Sequence, residues 1–170
     1  MAKTVYLSVG SNLGDRAANL REATLRLHEL GRIIVQSSIY ETEPVEVEDA
    51  QPWFLNCAVA VETELDAAEF LKRALAIEQA MGRERTGVRS ARSVDIDIIF
   101  FGDQVISRKG IEIPHPRMAH RRFVVEPLAE IAPQLKHPVL KRTMVELLNG
   151  LSTASALGRV RKLDMPMNTD

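Results

Sequence analysis

Asp95 and Asp97 are the two residues whose types and spacing point most directly to chemistry. They lie in the apolar, β-branched segment 92–101, which is typical of a strand buried in a sheet. Because side chains alternate along a strand, both carboxylates leave one face while the apolar residues between them fill the other. Two close carboxylates repel each other, and Mg²⁺ relieves this repulsion, since it commonly takes one or two carboxylates together with phosphate oxygens. The alternative is a solvated edge strand that carries two incidental acids.

Basic side chains flank this strand on both sides. Guanidinium groups bind phosphate oxygens in a bidentate manner, so a carboxylate pair beside several arginines is the combination that phosphoryl transfer requires. A solvated basic loop is the other interpretation of the arginines, and the histidine, which lies between two prolines, can equally be a packing residue. The residues concerned are Arg83, Arg85, Arg89 and Arg92 before the strand and His115, Arg121 and Arg122 after it.

Glu78 lies at the border of the apolar face of a predicted helix. One interpretation is a carboxylate at the edge of that face, which reaches water or pairs with Arg83 or Arg85. The other interpretation is a carboxylate that faces a nucleotide site. The residue types alone do not decide between them.

Composition and motifs exclude several classes of protein. The chain has 170 residues, 45% of them hydrophobic, and a formal net charge of −1, which fits one globular domain and gives no sign of nucleic-acid binding. No apolar stretch approaches the roughly 20 residues of a membrane span. The four histidines show no close ligand spacing, and the segment 10–15 lacks the Gly-Lys-Ser/Thr ending of a P-loop, so we expect it to form a strand-to-helix turn.

The location follows from the start of the chain and its single cysteine. The first residues are too polar and the apolar run is too short for a signal peptide. Cys57 excludes an internal disulfide, and its apolar neighbours favour a buried structural thiol over a nucleophile. We therefore expect a cytoplasmic protein.

The hydrophobic periodicities predict an α+β fold, with a ferredoxin-like β-α-β-β-α-β sheet core, an added hairpin and C-terminal helices. A single domain is expected over residues 1–151, followed by a loose C-terminal tail over 152–170. Asp15 or Asn12 is expected to cap the first helix, and Asp66 the second. The predicted strands are 4–9, 33–40, 54–63 and the two-aspartate segment, the hairpin is 105–113, and the later helices lie around 117–121, 126–131 and 143–148.

Taken in order, seven sequence blocks resemble the 6-hydroxymethyl-7,8-dihydropterin pyrophosphokinase family. The resemblance runs from about Val5 to Leu135, which is most of the chain, and seven blocks in register are far more specific than any one of them. The blocks are 10–14, 40–44, 52–56, 82–85, 92–98, 113–118 and 121–128.

The resemblance implies transfer of diphosphate from ATP to the hydroxymethyl group of the reduced pterin, with release of AMP, in folate biosynthesis. It implies two Mg²⁺ ions, small-molecule substrates only, no nucleic-acid or membrane partner, and a monomer. The flanking loops 41–52 and 83–92 would close over the substrates. It assigns Thr42, Pro44, Val45, Phe54, Asn56 and Phe123 to the pterin; Glu78, Arg85, Arg92, Ile98, His115 and Arg121 to ATP; Arg83, Arg85, Arg92, Asp95 and Asp97 to catalysis; and Asp95 and Asp97 to the metal.

Phe54, rather than its neighbour Trp53, is the expected stacking residue, because residues two apart on a strand share a face and Asn56 is two residues from Phe54. Two other functions stay open. A ferredoxin-like ligand sensor uses the same sheet without catalysis. A metal-dependent phosphohydrolase would release phosphate from ATP without a pterin acceptor.

Overall fold

A computed structural model of the protein describes residues 1–43, 52–82, 93–151 and 160–163. These residues form an α/β fold in which helices pack on both faces of an antiparallel sheet. None of the helices in these ranges is long and apolar enough to cross a bilayer. The strands are β1 Lys3–Ser11, β2 Arg32–Gln36, β3 Tyr40–Thr42, β4 Phe54–Thr63, β5 Asp95–Phe101, β6 Ile106–Arg108, β7 Ile111–Ile113 and β8 Val160–Lys162; the helices are α1 Arg16–Leu27, α2 Ala67–Gly82, α3 Arg122–Ile131 and α4 Met144–Gly150.

The main sheet has the strand order β5-β1-β4-β3-β8, and β2 also pairs with β4. Every pairing in it is antiparallel. The strand predicted over 33–40 is two strands, β2 and β3, which follow one another along the same edge of β4. The register with β4 shifts within β2, between Ile33 and Val35, and the Ser37 amide between the two strands donates to the Ala58 carbonyl of β4.

The two faces of the sheet bury separate hydrophobic clusters. One face packs against α1 and α2 through residues such as Leu20, Leu27 and Phe70. The other packs against α3 and α4 through residues such as Val125 and Leu128. We call the second face the front of the sheet and the first face the back.

A β-bulge in β5 turns two consecutive residues toward the front cluster. The register with β1 passes from Leu7 opposite Ile98 to Tyr6 opposite Phe100, which leaves Ile99 without a direct partner. Ile98 therefore points to the back cluster, whereas Ile99 and Phe100 belong to the front cluster.

The helix starts follow the predicted capping chemistry. The Asp15 carboxylate accepts a hydrogen bond from the Ala18 amide at 3.1 Å, so Asp15, and not Asn12, caps α1. Asp66 does the same for α2, with the Glu69 amide as donor at 2.8 Å. The predicted hairpin is confirmed as β6 and β7. The helical turn predicted around 117–121 is a short 3-10 turn, Met118–His120, and α3 begins directly after it.

Strand β8 lies inside the segment predicted to be a loose tail. For its three residues that prediction is wrong, because β8 pairs antiparallel with β3 and becomes the outer strand of the sheet. The Leu163 amide adds a hydrogen bond to the Ile39 carbonyl at 2.8 Å. The signal was missed because such a short edge strand has no periodicity of its own and is fixed by distant partners.

Candidate active site

The acid pair lies on β5 at the front of the sheet. In the register with β1, Asp95 is opposite Gly10 and Asp97 is opposite Ser8. Asp95 is half-buried and Asp97 is exposed, while Ile96 between them is buried. The predicted alternation is therefore confirmed, and the two carboxylates leave the same face of the strand.

A cleft of about 200 Å³ opens beside these acids, between β5, α2 and the hairpin; we call it the acidic cleft. It brings together most of the described residues that were expected to hold ATP and metal. They come from three separate parts of the chain, so only the fold makes them neighbours. The predicted residues that line it are Glu78, Asp95, Asp97, Ile98 and His115, and further lining residues are Leu71, Leu75, Ile96 and 110–113.

Glu78 reaches this cleft from α2 and is almost fully buried, with 3% of its surface exposed. Its Oε1 accepts a hydrogen bond from the backbone amide of Ile96 at 2.7 Å. Ile96 stands between the two aspartates, so this bond fixes the part of the edge strand that carries them. The interpretation of a carboxylate that reaches water is wrong, because buried carboxylates need such donors.

His115 contributes a neutral imidazole to the cleft. Burial lowers its pKa; the nearby Asp97 carboxylate works in the opposite direction, and the Arg121 and Arg117 guanidinium groups lower the pKa further. The Nδ1 atom accepts a hydrogen bond from the Arg117 amide at 3.3 Å, which assigns the proton of the neutral ring to Nε2. The imidazole can therefore donate a hydrogen bond to a phosphate oxygen.

A second surface, which we call the amide shelf, lies on the same face and consists of Gly10, Thr42, Phe54, Asn56 and Phe123. Gly10 pairs with Asp95 on one side and with Asn56 on the other, so a single row crosses three strands. A Cβ atom at Gly10 would lie 2.6 Å from Asn56 Oδ1. Only glycine therefore leaves room for the amide, whose Nδ2 donates to Thr42 Oγ1 at 2.8 Å.

Two half-buried aromatic side chains complete the amide shelf. Phe54 is two residues from Asn56 on β4 and shares its face, as expected. Phe123, from α3, packs against the front cluster, to which Ala58 of β4 also belongs. The Arg121 guanidinium lies 5.6 Å from the centre of the Phe123 ring, so this cation borders the shelf.

Five residues predicted for the site, Pro44, Val45, Arg83, Arg85 and Arg92, lie outside the described residues. Gly10 is the position of the candidate site that sequence reasoning missed. A glycine inside a strand signals the close approach of another group, and that signal was present next to the turn 10–15. The sequence could not show that the approaching group is Asn56, because this pairing depends on the register between β1 and β4.

The acidic cleft suits a hard cation that shares its ligands with a substrate. Over the ranges that the structure describes, no group of three or more histidine, cysteine, aspartate or glutamate side chains surrounds one point. Two carboxylates alone make an open site, in which phosphate oxygens and water would supply the other ligands. The fold and the acidic cleft together fit an α/β enzyme of the phosphoryl-transfer class.

Comparison with known proteins identifies the family. Residues 6–133 match the model of 7,8-dihydro-6-hydroxymethylpterin-pyrophosphokinase. A 2-amino-4-hydroxy-6-hydroxymethyldihydropteridine pyrophosphokinase of Bacillus subtilis is 43% identical over 138 residues, which cover 80% of this chain and 82% of the relative. A second, from Aquifex aeolicus, is 36% identical over 84% of this chain and 89% of the relative. The chain belongs to this pyrophosphokinase family and is a transferase of folate biosynthesis that uses ATP as co-substrate.

Longer proteins share the same fold. The HPPK-DHPS protein of Plasmodium falciparum superimposes with a TM-score of 0.75 at 21% identity, over 88% of this chain and 44% of that chain. The folic acid synthesis protein fol1 of Schizosaccharomyces pombe is 37% identical over 88% of this chain and 20% of its own length. This chain thus corresponds to less than half of each of these two proteins.

Proposed function

We propose that the acidic cleft holds the ATP triphosphate with two Mg²⁺ ions, while the amide shelf holds the pterin whose hydroxymethyl group accepts the diphosphate. One observation carries this proposal. The row that crosses β5, β1 and β4 sets Asp95 and Asn56 on the same face, with only Gly10 between them. Neighbouring strands lie about 4.8 Å apart, so the two Cα atoms are roughly 10 Å from each other, which suits two substrates that meet end to end.

The metal assignment rests on the ligand chemistry of Asp95 and Asp97. Both are carboxylates on one face, one half-buried and the other exposed, and no lysine or arginine of the described chain is found to pair with Asp97. Bound Mg²⁺ would neutralise the triphosphate charge and align it for attack. Each carboxylate would supply ligands, and Glu78 would act on both through the Ile96 amide.

At the ATP end, His115 Nε2 and the Arg121 guanidinium supply donors for phosphate oxygens. Since the amide of Ile96 is directed to the outer edge of β5, the amide of Ile98 points the same way and can meet the edge of the adenine base. Arg83, Arg85 and Arg92, on the loop that precedes β5, complete the charge compensation in this proposal.

At the pterin end, the rings of Phe54 and Phe123 stack on the two faces of the heterocycle, and Asn56 reads its polar edge. The bond from Asn56 Nδ2 to Thr42 supports this assignment, because it orients the amide so that Oδ1 is the free acceptor. The backbone of Thr42, Pro44 and Val45 would add further contacts.

The reaction in this proposal is an in-line substitution at the β-phosphorus of ATP. The hydroxymethyl oxygen of the pterin loses its proton to solvent and forms the new bond to phosphorus, while the bond from phosphorus to the AMP oxygen breaks and AMP leaves. Positioning and charge neutralisation dominate such transfers, so the residues above need to orient the two substrates and keep water away from the diphosphate.

We also propose that the sheet core is ferredoxin-like, that the catalytic domain includes β8 as its outer strand and so extends beyond the predicted boundary at residue 151, and that the enzyme works as a monomer in the cytoplasm. The alternation of strands and helices with the order β5-β1-β4-β2 supports the first proposal. The free, buried Cys57 fits a reducing compartment.

Product analysis tests the proposed function. We expect the purified protein, incubated with ATP, Mg²⁺ and 6-hydroxymethyl-7,8-dihydropterin, to form AMP and the pterin diphosphate in equal amounts. Formation of ADP would contradict the reaction. Phosphate release without pterin would indicate a phosphohydrolase, and pterin binding without turnover would indicate a ligand sensor.

A further inference from the structure

Behind the amide shelf, four residues form a connected cluster that we call the arginine clasp: Arg16, Glu41, Trp53 and Arg161. They come from the start of α1, from β3, from the residue before β4 and from β8. Residues 41 and 53 bracket the loop 44–51 in sequence, so the clasp joins the two strands that leave and enter that loop.

Glu41 is the centre of the clasp, and it is buried, with 9% of its surface exposed. Arg16 Nη1 donates to its Oε2 at 3.1 Å, and Arg161 donates to its Oε1 through both Nε, at 2.9 Å, and Nη2. Burial alone would raise the pKa of Glu41, but the hydrogen bonds from Arg161 and Arg16 outweigh it and leave the pKa lowered. The carboxylate is therefore charged and held from both sides.

Trp53 is tied into the same cluster. The Arg161 guanidinium lies 5.5 Å from the centre of its indole ring, and Arg16 donates a hydrogen bond to its backbone carbonyl. A single side chain from β8 thus contacts both a residue of β3 and the residue that precedes β4.

The clasp and the shelf occupy opposite faces of the same two strands. Glu41 pairs with Leu55, which belongs to the back cluster, whereas its neighbour Thr42 pairs with Phe54 and bonds to Asn56 on the front. Any shift of β3 relative to β4 on the back would therefore move Thr42 relative to Asn56 on the front.

We infer that Arg161 is a positioning residue for the pterin, through which the C-terminal strand β8 sets the geometry of the amide shelf. This inference rests on the proposed placement of the pterin on that shelf. Arg161 lies beyond residues 6–133, the part of the chain that matches the family model, whereas Arg16, Glu41 and Trp53 lie within it. Without Arg161, Glu41 would keep Arg16 as its one cation among the described residues, and Trp53 would lose its contact with the Arg161 guanidinium.

The test compares Arg161→Ala with Lys162→Ala by steady-state kinetics. Lys162 is the matched control, because it is the next residue of β8, carries the same charge and touches Glu130 at the front rather than the clasp. We expect Arg161→Ala to raise the KM for the pterin about tenfold, with the KM for ATP and kcat changed less than about twofold. Lys162→Ala should leave all three values within about twofold.

Two further measurements separate positioning from a general loss of structure. Trp53 is the only tryptophan of the chain, so its fluorescence reports on the clasp directly, and only Arg161→Ala should change its emission. Arg161→Lys, which keeps one charged donor, should restore part of the pterin affinity. Glu41→Gln combined with Arg161→Ala should raise the KM for the pterin by less than the product of the two single effects.

The outcomes also distinguish this inference from the proposed function. Asn56→Ala, measured in parallel, should weaken pterin binding, which tests the shelf itself. If Asn56→Ala weakens pterin binding and Arg161→Ala does not, the inference is wrong and the proposed function stands. An equal rise of both KM values in Arg161→Ala would also overturn it, and an Asn56→Ala variant with unchanged pterin affinity would overturn both.

Discussion

The acid pair that lines the acidic cleft and the amide shelf lie on one face of the same sheet, yet the two sites are held in different ways. The cleft is built on β5, an edge strand, and depends on single contacts such as the bond from the Ile96 amide to Glu78. The shelf is built across β1, β4 and β3, where the continuous register between strands fixes its residues.

This difference predicts how the acidic cleft and the amide shelf respond to substitutions. A register fixed by many backbone bonds positions most side chains directly, so the shelf should be sensitive to shape, and to charge only through the arginine clasp that holds β3, β4 and β8 together. An edge strand has bonds on one side only, so the cleft should be sensitive to the loss of individual polar partners. The predictions below test this contrast, from the largest expected effect to the smallest.

Removal of either acid should have the largest effect. We expect Asp95→Ala and Asp97→Ala to lower kcat by about a thousandfold or more, because the proposed metal ligands are lost. Both side chains reach solvent, so the free energy of unfolding should change by less than about 1 kcal/mol. Turnover assays and denaturant titrations would measure the two effects, and severe unfolding of both variants would argue that the acids are structural.

The second largest effect is expected from Gly10→Ala, which adds a single methyl group to the amide shelf. Because the added Cβ would lie 2.6 Å from Asn56 Oδ1, Gly10→Ala should displace the amide and raise the KM for the pterin roughly tenfold to a hundredfold. The KM for ATP is the internal comparison and should change little.

The double variant Gly10→Ala/Asn56→Ala sharpens this test. Once the Asn56 side chain is removed, the added methyl group has nothing to displace, so it should cause no further loss of pterin affinity. Additive losses would show that Gly10 acts on the site by another route.

Loss of the Glu78 carboxylate tests whether the acidic cleft depends on a single polar contact. Glu78→Ala should leave the buried Ile96 amide without its acceptor, which costs about 1–3 kcal/mol in the free energy of unfolding, and should lower kcat about tenfold. Glu78→Gln keeps an acceptor oxygen and should recover most of the stability. Equal behaviour of the two variants, by denaturation and kinetics, would mean that the bond to Ile96 is unimportant.

The smallest effect concerns pH and a residue remote from both surfaces. Burial lowers the pKa of His137 from its ordinary 6.5, and its Nδ1 accepts hydrogen bonds from the Val139 and Leu140 amides. The unfolded chain therefore binds the proton more readily, and the free energy of unfolding should fall as the pH drops through about 6.5.

His137→Gln should show a shallower fall between pH 7 and 5.5, measured by denaturant titration at each pH. The unaltered protein and the variant both contain His115, whose pKa is also lowered. The difference between their pH dependences therefore reports on His137 alone. If the free energy of unfolding fell equally with pH in both proteins, His137 would not be the group responsible.

The sequence predicted the elements with strong local signals and missed those set by distant partners. The strand 54–63 and the Asp66 cap were predicted correctly, because apolar runs and capping residues act within a few positions. The break between β2 and β3 and the existence of β8 follow from pairing with β4 and β3, which no local pattern encodes.

The candidate site likewise combines features that the local sequence predicts with features that depend on distant partners. The common face of Asp95 and Asp97 follows from the two-residue repeat of a strand, so it was predictable from spacing. The opposition of Gly10 to Asn56 depends on the register of β1 with β4, and the contact of Glu78 with Ile96 depends on how α2 packs on β5. These relations are long-range, and only the folded chain contains them.

The central claim is that the acid pair and the pterin share one face of the sheet, a few strand spacings apart. Paramagnetic broadening tests it most directly, with Mn²⁺ in place of Mg²⁺, a non-hydrolysable ATP analogue, and the proton resonances of bound 6-hydroxymethyl-7,8-dihydropterin as the readout. We predict strong broadening in the unaltered enzyme, its loss in Asp95→Ala/Asp97→Ala, and retained pterin binding in that variant. Bound pterin whose resonances stay sharp in the presence of Mn²⁺ and the nucleotide would contradict the account.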